Sequence, residues 1–225
     1  MNLALFDLDH TLLDGDSDYA WGEFMATHGL VDGPAYRRKN AEYWERYKNG
    51  TLDIIEFMSF SLAPLATQSV ERLNQLHREF LQTVIDPMIS GGARELIARH
   101  RGDLCAIVTA TNAFVTRPIA EHLGVPHLIA SEVEMKDGRY TGRPTGIPSF
   151  REGKVTRVAQ WLAGMGKSLG DFPESYFYSD SHNDLPLLLA VNRPVAVNPD
   201  ATLKQHAEQH QWPIMMLREK ELVRS

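Results

Sequence analysis

The sequence predicts an α/β protein: a largely parallel sheet with helices on both faces, interrupted near its start by an all-helical segment. Three observations predict it. Short apolar runs at residues 3–6, 104–108, 176–178 and 195–197 alternate with helix-like stretches from residue 86 onward. Residues 19–85 carry helix-like stretches only. The first three apolar runs each end in a cluster of polar side chains, at the sheet edge where open α/β sheets bind ligands.

Taken in order, residues 3–6 are an apolar run at the start of the chain and are expected to form a buried strand. Asp7 and Asp9 follow, two residues apart. Two carboxylates held that close repel and resist joint ionisation. One shared proton relieves them, and so does a hard divalent cation such as Mg²⁺ with oxygen ligands. Taken alone, Asp7-Leu8-Asp9-His10-Thr11 is equally a strand end followed by a polar turn.

Residues 14–18 have helix-start chemistry. Beyond them Trp21, Phe24 and Met25 recur at helical spacing, as do Tyr36, Tyr43, Trp44 and Tyr47. That spacing assigns the aromatics to the core rather than to a ligand cage. The charges among residues 37–46 are expected on a solvated helix face. After a break at Asn49-Gly50, further helices are expected from about 51 to 64 and from 67 to 81.

From residue 86 the alternation begins. Gly91-Gly92 should precede a helix at 93–100, and residues 104–108 should be a strand buried on both faces. A helix at 113–122 follows. Two short extended pieces within 127–142 flank a hairpin signal at Lys136-Asp137-Gly138. Then come a loop at 145–151, a helix at 153–163, a strand at 176–178, a helix at 184–190, a strand at 195–197, a helix at 199–210 and a last strand at 214–217.

The bulk composition narrows the function classes. A chain of 225 residues holds one large domain, or a core with a smaller partner. Its net charge of −6 speaks against a nucleic-acid partner. No apolar stretch approaches the ~18 residues of a membrane span, and Asp7 and Asp9 speak against a signal peptide. The single cysteine, Cys105, excludes an internal disulfide and fits a reducing cytoplasm.

The polar clusters carry the chemistry. Asp7, Asp9 and Thr11 follow the first run. Thr109, Ala110, Thr111 and Asn112 follow the second, and residues 179–184 the third. Lys154 lies between the last two, at a helix start. In this order the chain resembles the haloacid dehalogenase (HAD) superfamily of phosphohydrolases. Its D-x-D-x-T motif is matched by Asp7, Asp9 and Thr11, its hydroxyl motif by Thr109 and its lysine by Lys154. Its closing acidic motif is matched by Asp180, Asn183 and Asp184. The helical insert resembles the cap of the phosphoserine-phosphatase-like branch.

The resemblance implies a three-layer Rossmann-like core at 1–14 and 86–225, with a helical cap at 15–85. It implies Mg²⁺-dependent hydrolysis of a small-molecule phosphate ester through an aspartyl-phosphate, by a cytoplasmic monomer or homodimer. Asp7 would be the nucleophile and Asp9 the general acid and base. The metal would sit on Asp7, Asp180 and the backbone carbonyl of Asp9, with Asp184 and Asn183 ordering its surroundings. Thr109 and Lys154 would bond phosphoryl oxygens. Lys154 is preferred over Lys136 and Lys167 for its place before the closing motif. Thr11, Ala110, Thr111, Asn112 and Asn183 are expected against the substrate. His10 and His182 flank the site, but a hard-oxygen donor set does not suit zinc. His10 departs from the Gly or Ser of many members. Ser179 and Ser181 replace glycines, which serine can do at negative φ.

Substrate choice falls to the cap. In phosphoserine phosphatases an acidic residue shortly after the first motif reads the amine, and a cap arginine reads the carboxylate. Asp16 or Asp18 can fill the first role. Ser59 stands where the arginine is expected and cannot make its bidentate contact; Arg37 or Arg38 are the substitutes on offer. Histidinol phosphate, an amine without a carboxylate, ranks first. Phosphoserine follows, with a broad small-metabolite phosphatase close behind. A dehalogenase conflicts with Asp9 and Asp180, a mutase usually has a different cap, and a binding module would leave the acids without a task. Gly15, Gly91 and Gly92 flank the insert as candidate hinges.

Overall fold

The computed structural model describes residues 1–217; the remainder of the core expected to extend to 225 lies outside the described residues. Among the described residues seven strands form one sheet: β1 (Leu3–Phe6), β2 (Leu104–Asn112), β3 (His127–Lys136), β4 (Arg139–Thr145), β5 (Ser175–Ser179), β6 (Arg193–Val197) and β7 (Ile214–Met215). Their order is β4-β3-β2-β1-β5-β6-β7. Every pairing is parallel except the β3–β4 hairpin. β1 therefore lies between β2 and β5, and the three polar clusters share one edge.

Alternate side chains of β1 feed two cores, as strand geometry requires. Leu3 and Leu5 pack with Val158 and Leu162 of α8 (Glu152–Ala163), Leu187 of α9 (Leu185–Ala190) and Leu203 of α10 (Ala201–Gln209). Ala4 and Phe6 face α6 (Gly91–Arg99) and α7 (Ala113–His122). The result is three layers, with helices on both faces of the sheet. Among the described residues no helix is long and apolar enough to cross a membrane.

The insert is helical throughout: α1 (Ser17–Thr27), α2 (Gly33–Lys48), α3 (Ile54–Leu62) and α4 (Val70–Phe80). A π-helical turn at Leu81–Ile85 leads from α4 into the short α5 (Asp86–Met88). Each of α1 to α4 starts on a capping side chain, Asp16, Asp32, Asp53 or Ser69, that accepts an otherwise unpaired N–H. Ser69 explains why α4 begins later than expected. The insert shares the second core. Trp21 of α1 packs on Phe114 of α7, and His77 Nε2 of α4 lies 2.9 Å from the Val115 carbonyl. The β3–β4 hairpin props α3: at Gly142 (φ 76°) a Cβ would come 3.1 Å from Ala63 Cα. An isolated bridge, Leu13 to Ile89, joins the two chain segments at the insert's base.

Several boundaries differ from expectation. Gly91 and Gly92 lie inside the first turn of α6, capped by Ser90, rather than ahead of the helix. Gly92 instead allows close approach, since its Cβ would lie 3.0 Å from the Leu217 carbonyl. β2 runs on through the polar residues 109–112, and both hairpin strands are longer than expected, whereas β7 stops at Met215. Apolar runs mark where a strand is buried, not where its ladder ends.

Candidate active site

β1 continues its ladder for one residue, with Asp7 N–H donating to the Tyr178 carbonyl at 2.9 Å. The chain then coils, Leu12 N–H reaching back to Leu8 O at 2.9 Å. This turn places the Thr11 hydroxyl 3.3 Å from Asp7 Oδ2 and 3.2 Å from Asp180 Oδ1. Asp180 N–H donates to the same hydroxyl at 3.1 Å. One threonine thus fixes the two carboxylates beside each other.

β2 delivers its residues by a bulge. Val108 pairs with Ile129 and Asn112 with Ser131, so three residues of β2 oppose one of β3. Thr109, Ala110 and Thr111 are pushed out of the ladder toward Asp9. Ser131 holds the bulge, its hydroxyl donating to Ala110 O at 2.8 Å. The Thr111 hydroxyl donates to Asp9 Oδ2 at 2.8 Å, and Ser17 N–H donates to Asp9 Oδ1 at 2.6 Å.

α8 delivers Lys154 from its first turn. The ammonium donates to Asp7 Oδ1 at 2.8 Å and Asp184 Oδ2 at 2.7 Å. Asp184 Oδ2 also accepts from Ser179 Oγ at 2.6 Å. Lys136 and Lys167 are exposed, Lys167 lying over the Phe172 ring.

The site carries more negative charge than positive. Asp7, Asp9, Asp180 and Asp184 face one ammonium. Burial raises the pKa of Asp7, opposed by Lys154. Burial, with Asp7 and Asp184 nearby, puts Asp180 well above the ordinary carboxylate value. Asp9 and Asp184 are each pushed up to about 6, chiefly by burial. Such an excess suits a divalent cation. Among the described residues no three acidic, His or Cys side chains gather round one point. Mg²⁺ does not require that; it usually takes one or two carboxylates and keeps several waters. Asp7 and Asp180 are the two whose oxygens converge. Both oxygens of the Asp9 carboxylate accept, from Ser17 N–H and the Thr111 hydroxyl, whereas Lys154 and Ser179 both donate to Asp184 Oδ2.

A cavity opens above this cluster. Asp7, Asp9, Thr109, Ala110, Thr111, Lys154 and Asp184 line one side, Asp16 and Asp18 another. Tyr19, Tyr43, Trp44, Tyr47, Phe57 and Phe150 form most of the remaining wall. Asp18 is 7% exposed, and burial followed by the charges of Asp16 and Asp9 raises its pKa well above normal.

Three expected substrate contacts do not line the cavity. Thr11 is spent on the two carboxylates. Asn112 caps α7 through Val115 N–H and donates to Asp18 Oδ1 at 3.1 Å. Asn183 accepts from Arg151 Nε at 3.1 Å. The cap arginines are also elsewhere: Arg37 pairs with Glu23 at 2.7 Å on the surface, and Arg38 is exposed. Ser59 donates to its own helix at Ile55 O. Among the described residues no arginine lines the cavity. His10 packs on Trp44 with ring centroids 5.4 Å apart, and His182 Nδ1 lies 2.8 Å from Asp200. Ser181 has φ −107°, where serine replaces glycine without strain.

The sequence reading missed the aromatic wall. Tyr36 is buried in the second core, whereas Tyr43, Trp44 and Tyr47 reach the cavity. Helical spacing gives the face but not what lies opposite it. The signal that could have been used was the stripe's length, one turn past the core.

The family model described as haloacid dehalogenase-like hydrolase matches residues 4–189. A histidinol-phosphatase of Neisseria meningitidis is 46% identical over 217 residues, covering 95% of this chain and 98% of that one. A phosphoserine phosphatase of Mycobacterium tuberculosis is 32% identical over 218 residues, covering 94% and 69%. A crystal structure of a Bordetella pertussis protein of unknown function superposes with TM-score 0.91 at 54% identity, covering 96% and 98%. A substrate-bound phosphoserine phosphatase superposes with TM-score 0.68 at 19% identity, covering 98% and 94%, a likeness of fold alone. With its acids, threonine and lysine on one sheet edge beneath a helical insert, the chain belongs to the haloacid dehalogenase-like hydrolases.

Proposed function

We propose that this phosphoric monoester hydrolase acts on histidinol phosphate, with Mg²⁺, through an aspartyl-phosphate on Asp7. One observation carries the substrate: the cavity joins buried carboxylates to aromatic walls and, among the described residues, holds no arginine. An amine finds Asp16 and Asp18, and a flat imidazole finds rings to stack on. The name of the 46% identical relative agrees.

In the first step a carboxylate oxygen of Asp7 attacks phosphorus while the bond to the leaving alcohol breaks. Asp9 gives that oxygen its proton. In the second step Asp9 takes a proton from water, the water oxygen attacks phosphorus, and the bond to Asp7 breaks, releasing phosphate. A pKa near 6 lets one carboxyl hold the proton in the first step and accept it in the second. Thr109 and Lys154 bond the phosphoryl oxygens, Lys154 being positioned by Asp184. Asp7, Asp180 and the Asp9 carbonyl would hold Mg²⁺, which when bound offsets phosphoryl charge. In this reading 1–14 and 86–225 form the core, and 15–85 is a cap that selects the ester.

Phosphoserine is the second reading. Its amine would be met, but its carboxylate would face Asp16 and Asp18 with no guanidinium among the described lining residues to offset them. The test is a panel of phosphate monoesters with and without Mg²⁺, beside Asp7→Asn. Histidinol phosphate should exceed phosphoserine in kcat/KM by about 100-fold, the worth of one buried charge contact. Equal or better turnover of phosphoserine overturns the substrate. Undiminished turnover by Asp7→Asn overturns the mechanism.

A further inference from the structure

Arg151 stands immediately before α8 with φ 51° and ψ −123°. Positive φ strains a residue that has a Cβ, and glycine would hold that backbone freely. What arginine adds there is reach. Its Nε–H donates to Asn183 Oδ1 at 3.1 Å, and Nη2–H donates to the Gly50 carbonyl at 2.6 Å. The guanidinium lies 5.0 Å from the ring centre of Phe150, a cavity wall.

These contacts join three parts of the site. Gly50 closes α2, the helix that supplies Trp44 and Tyr47. Asn183 precedes Asp184, which holds Lys154. The Arg151 carbonyl accepts from Lys154 N–H at 3.0 Å and so begins the turn that carries the lysine. A second tie sits at the same corner, Tyr47 Oη donating to Ser181 Oγ at 3.2 Å. The rest of the insert is fastened elsewhere, α4 through His77 and α3 through Gly142. The corner between α2 and α3 meets the closing acidic loop through Arg151 and Tyr47.

We propose that Arg151 is a positioning residue: its fork fixes the α2–α3 corner over the cavity and holds Asn183, keeping Asp184 and Lys154 in register. This rests on the catalytic reading above only for its effect on turnover.

Arg151→Gly separates reach from backbone, because glycine accepts the same φ. The variant should melt at or above the wild-type temperature and lose about tenfold in kcat on p-nitrophenyl phosphate, with a smaller change in KM. Amide hydrogen exchange across residues 44–53 should quicken by about tenfold or more, while residues 70–85 exchange as in wild type. Arg151→Lys keeps the charge, but one ammonium cannot span both acceptors, so its kcat should fall between the two. Wild-type kcat and exchange in Arg151→Gly overturn the proposal. So does full recovery in Arg151→Lys, or faster exchange everywhere with a lower melting temperature, which marks a merely structural role. Exchange needs no substrate, so a wild type inert on every ester would refute the catalytic reading and leave this test standing.

Discussion

Lys154 Nζ lies 2.8 Å from Asp7 Oδ1 although 147 residues separate them in the chain. Both are almost fully buried. Burial works to strip the lysine of its proton, but Asp184 and Asp7 outweigh it and hold its pKa above the ordinary value. Lys154→Met leaves those carboxylates facing each other without a counter-charge. Losing one partner of a buried pair costs about 3–5 kcal/mol. The variant should lose ~10²–10³ in kcat. Calorimetry of the metal-free protein should show it melting below wild type at pH 8, with the gap closing toward pH 4 as the acids protonate. A pH-independent gap would mean that lost packing, not charge, is responsible.

Asp7 and Asp180 share the Thr11 hydroxyl, and this geometry predicts where metal binds. Mg²⁺ at 100 times its dissociation constant should stabilise the wild type by about 2.7 kcal/mol, read as a rise in melting temperature. Asp180→Asn should abolish that rise. In EDTA the same variant should melt above wild type, because it removes a buried charge that its surroundings disfavour. An undiminished Mg²⁺ response in Asp180→Asn would place the ion elsewhere.

The split between what could and could not be foreseen follows from these residues. Asp7, Thr109 and Asp180 were legible because each ends an apolar run, and runs in a parallel sheet share their polar edge. Lys154 was legible as a lysine at a helix start before the closing acids. The outward swing of Thr109–Thr111 was not, because a bulge is a relation between two strands. Asn112 follows the hydroxyl motif and Asn183 belongs to the closing one, but which way an amide points is decided by its partners, here Val115 N–H and the Arg151 fork. Arg151 itself was invisible, since nothing local announces positive φ in a residue with a side chain. Trp44 and Tyr47 shared the spacing of core aromatics and differed only in what the fold set opposite them.

Stability of the metal-free protein should depend on pH with a definite sign. Asp9 and Asp184 titrate near 6 in the fold, against an ordinary value of 3.8. The folded state therefore binds these protons more tightly than the unfolded chain does. Their contribution is complete below pH 4 and is lost as pH rises through 6. Melting temperature in EDTA should fall across that window, and less steeply in Asp9→Asn and Asp184→Asn. A flat or rising profile would show that burial does not disfavour these carboxylates.

Asp18 offers the sharpest test of the substrate. It is buried, with its charge disfavoured first by burial and then by Asp16 and Asp9, and Asn112 Nδ2 donates to it. A carboxylate so placed gains most from a cation brought by the ligand. Asp18→Asn keeps the shape and removes the charge. Its melting temperature without ligand should rise. Its KM for histidinol phosphate should rise about 10–100-fold, the worth of a charge-assisted hydrogen bond. KM for p-nitrophenyl phosphate, which has no amine, should stay near wild type. Trp44→Ala then isolates the ring: it should weaken histidinol phosphate more than phosphoethanolamine, which keeps the amine and lacks the imidazole. If Asp18→Asn weakens all three esters alike, the residue supports the pocket rather than reading its occupant, and the preference for a cationic alcohol loses its basis.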